Sequence, residues 1–167
     1  MLIFLIGFMG SGKSYMARNL SPLLNYAYVD MDLAIEAKEN KTIREIFEQH
    51  GEDYFRRKEH TFIQELDMAD KLIVSTGGGT PCFYENMNAM NVKGLTVYLN
   101  RSKEDIIMRL EKGKYKRPLI QHLTTEELSL FYDTKLQERV HFYKQAKIFA
   151  GDKTPEEVAE LLANYIK

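Results

Sequence analysis

Short apolar runs alternate along the chain with longer segments in which apolar residues recur every three or four positions. The short runs predict buried strands, whereas the longer spacing predicts amphipathic helices. Alternation of the two is typical of a parallel β-sheet covered by helices, so we expect an α/β protein. The predicted strands are Leu2–Ile6, Tyr26–Val29, Leu72–Ser75, Leu95–Leu99 and Ile148–Ala150.

Several helices carry start and stop signals. A Ser or Thr followed three residues later by an acidic residue predicts a capping box, and a proline at the first helical position strengthens the signal. Gly51 is expected to end the helix that begins at Thr42. Two long helices are predicted at 52–69 and 125–146. The capping pairs are Thr42 with Glu45, Ser102 with Asp105, and Thr154 with Glu157, the last followed by Pro155.

Length and charge limit the function classes. The 167 residues, 44% of them hydrophobic, favour a single domain over residues 1–167 with one sizeable core. The 23 basic and 24 acidic residues create no general field for nucleic acid or an anionic membrane, so we expect neither partner. The single cysteine, Cys82, excludes an intramolecular disulfide and fits a cytoplasmic protein. We expect a monomer.

The loop after the first predicted strand carries the strongest chemical signal. Residues 7–14 read Gly-Phe-Met-Gly-Ser-Gly-Lys-Ser and fit the phosphate-binding pattern G-x-x-x-x-G-K-[ST]. Its glycines let backbone N–H groups point at phosphates, the lysine reaches the β and γ phosphates, and the final serine can ligate Mg²⁺. The alternative is a glycine turn beside an incidental lysine. The residues expected at ATP are Gly10, Ser11, Gly12, Lys13, Ser14 and Tyr15.

Asp30 and Asp32 follow the second predicted strand, where ligands of open α/β sheets collect. A phosphate-binding loop needs a carboxylate near Mg²⁺, and the strand Leu72–Ser75 ends without one. If the segment stays extended, both side chains share one face. If Asp32 caps a helix, they diverge, leaving one for the metal and one for an acceptor hydroxyl. Alternatively, Asp32 only caps the helix that starts at Leu33.

Two further patterns indicate an acceptor site. Three consecutive glycines, Gly77, Gly78 and Gly79, suggest that a ligand approaches the backbone closely, although a flexible connection is the alternative. Glu59 lies three positions after Arg56 on the same predicted helical face. Its carboxylate can orient the Arg56 guanidinium toward a ligand carboxylate. A solvated ion pair is the plain alternative there.

The segment from Arg109 to Arg117 holds five basic residues and one glutamate, with Gly113 inside it and no apolar periodicity. Such a segment predicts a lid that closes over phosphates and delivers an arginine to the transferred group. An exposed charged loop is the alternative.

Taken together, six motifs resemble the shikimate kinase family in order and spacing over nearly the whole chain. They are Gly7–Ser14, Asp30-Met31-Asp32, Phe55-Arg56-x-x-Glu59, Gly77-Gly78-Gly79, Arg117-Pro118-Leu119 and Arg139-x-x-x-Tyr143. The resemblance implies a three-layer α/β/α fold of the nucleoside-monophosphate-kinase type, a P-loop NTPase fold with five parallel strands. It also implies an acceptor-binding subdomain at about 32–68 and a lid at about 111–122. The implied reaction is transfer of the γ-phosphoryl group of ATP to the 3-hydroxyl group of shikimate, with Mg²⁺.

The resemblance also assigns roles. It places Asp32, Arg56, Arg139 and the glycines Gly77, Gly78 and Gly79 at shikimate, with the two arginines on its carboxylate and Asp32 against the reacting hydroxyl. Asp30 would hold Mg²⁺ through water beside Ser14, Arg117 would contact the ATP phosphates, and Lys153 would lie in the adenine loop. Lys13, Asp32 and Arg117 are the implied catalytic residues. Tyr15 and Lys153 depart from the residue types common in the family, and Arg109 is a candidate adenine partner.

Two other functions remain open from the sequence. One is another small-metabolite kinase of the same architecture, such as a gluconate or nucleoside monophosphate kinase. The other is a nucleotide-binding module without catalytic activity.

Overall fold

Five parallel strands form one sheet in this computed structural model, which describes residues 1–117 and 119–166. Pro118, part of the predicted lid, and Lys167, the last residue of the predicted domain, lie outside the described residues. All five predicted strands are confirmed, two of them with the predicted ends and three with ends shifted by one residue. The strands are β1 (Leu2–Ile6), β2 (Ala27–Asp30), β3 (Leu72–Ser75), β4 (Gly94–Tyr98) and β5 (Ile148–Phe149).

The strand order β2-β3-β1-β4-β5 places β1 at the centre of the sheet. All five residues of β1 are buried, and they alternate between two hydrophobic cores. Phe4 faces one core, which includes Met31, whereas Leu5 faces the other, which includes Leu20. Because successive side chains of a strand point to opposite faces, the sheet is covered on both sides. The three-layer α/β/α arrangement is therefore confirmed.

Seven helices surround the sheet among the described residues. They are α1 (Lys13–Leu24), α2 (Met31–Glu39), α3 (Ile43–Glu65), α4 (Asn86–Lys93), α5 (Lys103–Lys112), α6 (Thr125–Tyr143) and α7 (Pro155–Ala163). Helix α3 is interrupted at Gly51, whose φ of 81° is non-helical, as its glycine predicts. Helices α3 and α6 end a few residues before the predicted ends. None of the described helices combines the length and apolar character needed to span a bilayer.

The capping predictions are confirmed at two helices and half wrong at a third. The Thr42 and Thr154 boxes are complete in both directions. Ser102 accepts a hydrogen bond from the N–H group of Asp105, but the Asp105 carboxylate accepts from Arg109 Nε at 2.9 Å instead of returning to the backbone. Aspartate is one methylene shorter than the glutamate of a complete box, so its carboxylate has less reach toward the N-cap amide.

The loops after β1 and β3 lie side by side, because these two strands are neighbours in the sheet. A Cβ atom placed on Gly78, in the loop after β3, would lie 3.3 Å from the backbone nitrogen of Met9, in the loop after β1. The phosphate-binding motif and the glycine triplet therefore meet at the carboxyl edge of the sheet, where α/β proteins bind ligands.

Candidate active site

The loop that follows β1 presents a row of backbone donors. Gly10 and Gly12 have φ values of 81° and 91°, a region that side chains other than glycine rarely adopt. The N–H groups of Gly10, Gly12, Lys13 and Ser14 donate no hydrogen bond to any residue that the structure describes. These donors surround the start of α1, where the helix dipole adds positive potential. The loop can therefore bind a phosphate chain.

Lys13 is buried and satisfies its ammonium group within the same loop. Its Nζ donates to the carbonyl oxygens of Gly7 and Phe8 at 2.8 and 2.9 Å. Burial lowers the pKa of Lys13 to about 8, although the nearby carboxylates of Asp32 and Asp30 oppose this shift. At neutral pH the lysine therefore places a positive charge at the phosphate site, but it loses its proton more readily than an ordinary lysine.

A cavity of about 280 Å³ opens beside the loop and is lined by Gly10, Gly12, Lys13, Ser14, Tyr15, Arg109 and Arg117. The structure thus brings together five of the six residues predicted around ATP. Ser11 is the exception among these loop residues, because it is fully buried and does not line the cavity. Its hydroxyl has no hydrogen-bond partner among the described residues.

The distant members of the predicted nucleotide site differ in placement. Arg117 and Arg109 both reach the cavity, and Arg109 Nη1 lies 3.1 Å from the position of a Cβ atom on Gly12. Lys153 is exposed and is not among the described residues that line the cavity. Its carbonyl oxygen instead accepts from Arg101 Nη2 at 3.5 Å.

Asp30 connects three elements at the carboxyl edge of the sheet. Its Oδ2 accepts a hydrogen bond from the Ser14 hydroxyl at 2.6 Å, and that hydroxyl lies 3.2 Å from Ser75 Oγ. Hydroxyl and carboxylate oxygens suit Mg²⁺, which usually takes few protein ligands and completes its shell with water and phosphate. Among the described residues, no group of three carboxylate, imidazole or thiol side chains forms a closed metal cage. The donors present therefore fit a magnesium ion shared with a nucleotide.

The alternative in which Asp32 only caps a helix is wrong, because Asp30 is the residue that caps α2. Asp30 has extended backbone angles, and its Oδ1 accepts from the N–H groups of Asp32 and Leu33 at 3.2 and 3.4 Å. Helix α2 begins at Met31, so Asp32 lies in its first turn. Neither alternative holds as stated, because Asp32 is helical and is not the cap; Asp30 instead binds Ser14 and the α2 amides, and Asp32 Oδ1 lies 3.2 Å from the position of a Cβ atom on Gly77.

Asp32 has an unsatisfied acceptor. Its Oδ1 is buried and has no hydrogen-bond partner among the described residues. Burial, together with the charges of Glu59 and Asp30, raises the pKa of Asp32 to about 6, and Lys13 and Arg56 partly oppose the shift. A buried acceptor without a donor is costly, and a hydroxyl group of a ligand would satisfy it.

The glycine triplet makes room for side chains from other elements. A Cβ atom on Gly77 would lie 2.8 Å from Glu59 Oε1, and one on Gly79 would lie 2.7 Å from Arg56 Nη2. None of the three glycines has a positive φ, so close approach explains them better than unusual backbone angles. Their three N–H groups donate no hydrogen bond to the residues that the structure describes. The loop therefore also offers donors for an anion.

Arg56 is held rigidly, and the alternative of a solvated ion pair is wrong. Arg56 is 8% exposed and Glu59 is fully buried, and they form a hydrogen-bonded ion pair of 2.9 Å. Glu52 binds the same guanidinium at 2.9 Å, and the ring of Phe83 lies 4.4 Å from the guanidinium carbon. Thr80 donates its hydroxyl to the other oxygen of Glu59 at 2.5 Å. The arginine is thus fixed from several sides.

Arg139 also lies beside the glycine loop and has no carboxylate within ion-pair distance among the described residues. Its guanidinium carbon lies 5.8 Å from the centre of the Phe8 ring, and its Nη1 lies 3.5 Å from the position of a Cβ atom on Gly78. The two arginines therefore meet around the glycine loop, and together with its free N–H groups they favour a bound carboxylate.

The sequence reasoning missed several supports of this site: Glu52, Ser75, Thr80 and Phe83. A signal existed for Glu52, which lies four residues before Arg56, a spacing that places two side chains on one helix face. The other three act across elements, and their sequence separation gives no such signal.

Comparisons with known proteins give one consistent result. A family model described as Shikimate kinase matches residues 9–167. The shikimate kinase of Parabacteroides distasonis is 39% identical over 146 residues, which cover 87% of this chain and 84% of that protein. A shikimate kinase structure from Bacteroides thetaiotaomicron matches with a TM-score of 0.90 at 34% identity, covering 99% and 98% of the two chains. Another from Acinetobacter baumannii, solved in complex with shikimate, has a TM-score of 0.83 at 32% identity and covers 99% and 92%.

Proposed function

Because the chain belongs to the shikimate kinase family, an ATP-dependent kinase family acting on shikimate, we propose that it phosphorylates the 3-hydroxyl group of shikimate with the help of Mg²⁺. The observation that carries the proposal is the junction of two anion sites. Free N–H groups and Lys13 form one, and Arg56, Arg139 and the glycine loop form the other. The unsatisfied carboxylate of Asp32 belongs to the same edge of the sheet.

Phosphoryl transfer places its main demand on positioning and electrostatics. In the proposed complex, Lys13 exchanges its loop carbonyl partners for the ATP phosphates, and Arg117 and Arg109 add positive charge from the cavity wall. Ser14 and Asp30 would hold Mg²⁺, which supplies charge neutralisation at the β and γ phosphates. These charges stabilise the transferred group.

Asp32 orients the acceptor in this proposal. Its buried Oδ1 accepts the hydrogen of the reacting hydroxyl, which satisfies the carboxylate and directs the hydroxyl oxygen at phosphorus. A loose transition state asks little of a base, so the proton moves to Asp32 late. Lys13 and Asp32 interact electrostatically. In the proposed complex this interaction couples the residue at the nucleotide phosphates to the residue at the acceptor hydroxyl.

Three further assignments belong to the proposal. Residues at about 32–68 form the acceptor-binding subdomain, those at about 111–122 close as a lid, and Lys153 contacts adenine. The proposal also keeps the protein a cytoplasmic monomer, and the balanced charge supports the absence of a nucleic-acid or membrane partner. Replacement of Lys153 by alanine would raise the KM for ATP and leave the KM for shikimate unchanged, and equal effects on both would contradict the adenine assignment.

The deciding experiment measures ADP release from Mg²⁺-ATP with shikimate, gluconate and nucleoside monophosphates as separate acceptors. Shikimate should be the preferred acceptor, and two-dimensional ¹H–³¹P NMR of the product should place the phosphate on the 3-hydroxyl. Preference for another acceptor would replace the proposed substrate. Tight ATP binding by calorimetry without ADP release would indicate a nucleotide-binding module. Asp32→Asn is the matched variant, and near-normal turnover would remove Asp32 from the mechanism.

A further inference from the structure

Tyr143 is a buried tyrosine at the end of α6 whose single polar atom reaches the glycine loop. The side chain is fully buried, and its ring lies 5.1 Å from the ring of Tyr98, centre to centre. Its hydroxyl group donates a hydrogen bond to the carbonyl oxygen of Gly78 at 2.5 Å. Burial raises the pKa of Tyr143 above its usual range, so the phenol keeps the proton that this bond requires.

This bond fixes the middle carbonyl of the glycine triplet, whereas the carbonyls of Gly77 and Gly79 accept from the N–H groups of Thr80 and Cys82. Glycines are the most mobile residues of an unconstrained chain, and three follow one another here. In a planar trans peptide the C=O and N–H groups point in opposite directions. Holding the Gly78 carbonyl toward Tyr143 therefore turns the N–H group of Gly79 away from it. That N–H is one of the three that donate to no described residue.

The same hydroxyl lies beside Arg139. Tyr143 follows Arg139 by four positions on α6, so the two side chains share one helix face. The charge of Arg139 acts directly on the phenol, and Arg139 Nη1 lies 3.5 Å from the position of a Cβ atom on Gly78. A phenol can donate one hydrogen bond and accept another, so one hydroxyl can serve both groups.

Gly78 also touches the nucleotide loop. A Cβ atom at this position would lie 3.3 Å from Met9 N and 3.6 Å from Gly7 O. The Gly7 carbonyl is one of the two that accept from Lys13. The phosphate-binding loop therefore supports the Gly78 peptide on the nucleotide side, so loss of the Tyr143 bond should change its geometry mainly on the side of Arg139 and the acceptor.

We propose that Tyr143 is a positioning residue for the acceptor, whose hydroxyl sets the Gly78 peptide and the Arg139 guanidinium in the geometry that receives the shikimate carboxylate. The inference rests on the proposed function, since it deepens the description of that same site. Tyr143 touches no reacting atom. Its contribution is to orient donors that do touch the acceptor.

The test compares Tyr143→Phe with Tyr98→Phe. Each variant removes one hydroxyl from a pair of neighbouring rings in the same core, but the Tyr98 hydroxyl makes no hydrogen bond to the described residues. Loss of the Tyr143 bond leaves the partly buried Gly78 carbonyl without this donor, so the glycine loop and Arg139 must be ordered when shikimate binds, and the KM for shikimate should rise roughly 5- to 100-fold. The KM for ATP should change less than about twofold, and Tyr98→Phe should leave both KM values near those of the wild type.

The outcomes separate the inference from the function on which it rests. If wild-type protein phosphorylates shikimate but Tyr143→Phe has an unchanged KM for shikimate, the positioning role is wrong and the function stands. An equal rise in both KM values, or an equal effect of Tyr98→Phe, also overturns it. Wild-type protein that releases no ADP with shikimate overturns both. Added to Arg139→Lys, Tyr143→Phe should cause less than its separate effect, because both act on one guanidinium.

A second measurement keeps the inference testable if Tyr143→Phe fails to fold. In wild-type protein labelled with ¹³C at the tyrosine Cζ atoms, shikimate binding should shift the Tyr143 resonance more than that of Tyr98. The bond between the Tyr143 hydroxyl and Gly78 adjusts when the glycine loop receives the carboxylate, whereas the Tyr98 hydroxyl lacks such a partner. Equal shifts, or no shift at Tyr143, would overturn the positioning role.

Discussion

The Ser14 hydroxyl donates to Asp30 at 2.6 Å, joining the start of α1 to the end of β2. The second oxygen of Asp30 caps α2. One carboxylate therefore serves the proposed magnesium site and fixes the helix that carries Asp32. The two roles can be separated by mutation, because only one of them needs the negative charge.

Asp30→Asn should raise the Mg²⁺ requirement while sparing the fold. Asparagine caps helices about as well as aspartate, so the free energy of unfolding should change by less than about 1 kcal/mol. Loss of a group that supports metal ligands typically lowers metal affinity about 10- to 100-fold. Titration of activity with Mg²⁺ at fixed ATP measures this effect. Asp67→Asn, at an exposed loop carboxylate, is the control, and equal Mg²⁺ requirements in both variants would contradict the assignment.

The pH dependence of kcat/KM should show two limbs. Asp32, with a pKa of about 6, must be ionised to accept the hydroxyl hydrogen, so kcat/KM for shikimate should fall about tenfold per pH unit below 6. Lys13, with a pKa of about 8, must be charged at the phosphates, so kcat/KM for ATP should fall above pH 8. Steady-state kinetics from pH 5 to 9.5 test both limbs. A profile that stays flat down to pH 5 would contradict the role of Asp32.

Asp32→Asn should stabilise the protein at neutral pH as it lowers turnover. The folded pKa of about 6 exceeds the ordinary value of 3.8, so the folded state binds the proton more tightly and the free energy of unfolding falls as pH rises from 4 to 6. Removing the charge should add on the order of 1–2 kcal/mol at pH 7.5 and much less at pH 4. Thermal unfolding at the two pH values checks this. A stabilisation of equal size at both would rule out the charge as its cause.

Gly79→Ala should act on the acceptor through Arg56. The new methyl group would lie 2.7 Å from Arg56 Nη2. Because Glu59 and Glu52 bind the guanidinium, it can move away from the methyl group only by breaking these ion pairs. The KM for shikimate should rise about tenfold or more, a loss of at least about 1.4 kcal/mol, and the KM for ATP should stay near its wild-type value. Added to Arg56→Lys, the substitution should have little further effect. Full additivity would show that Gly79 acts by another route.

Local patterns carried most of what the sequence predicted. The strand β1 and the Arg56–Glu59 pair both depend on spacings of a few residues, and both are confirmed. The loop after β1 has the positive φ values at Gly10 and Gly12 that its motif favours, and its role at phosphate remains a proposal. Which of Asp30 and Asp32 caps the helix could not be predicted, since either aspartate is a good N-cap and the predicted start of a helix is uncertain by about two residues. Only the observed bonds of Asp30 decide between them.

The reason for the glycine triplet could not be found from the sequence. Gly77 and Gly79 avoid the side chains of Glu59 and Arg56, which arrive from α3 about twenty residues earlier in the chain. Whether such side chains meet depends on how α3 packs against the sheet, and no local pattern records that packing. The structure shows that side chains of the protein itself approach these glycines closely. That a ligand also approaches them remains a prediction.

The buried ammonium of Lys13 has a consequence for nucleotide affinity. Its Nζ donates hydrogen bonds to two carbonyl oxygens of its own loop. A triphosphate that binds Lys13 must replace these carbonyl oxygens as hydrogen-bond acceptors. The dissociation constant of the nucleotide therefore reflects an exchange of partners and understates the strength of the final contacts. The same two bonds compensate the buried charge of Lys13, which would otherwise be costly.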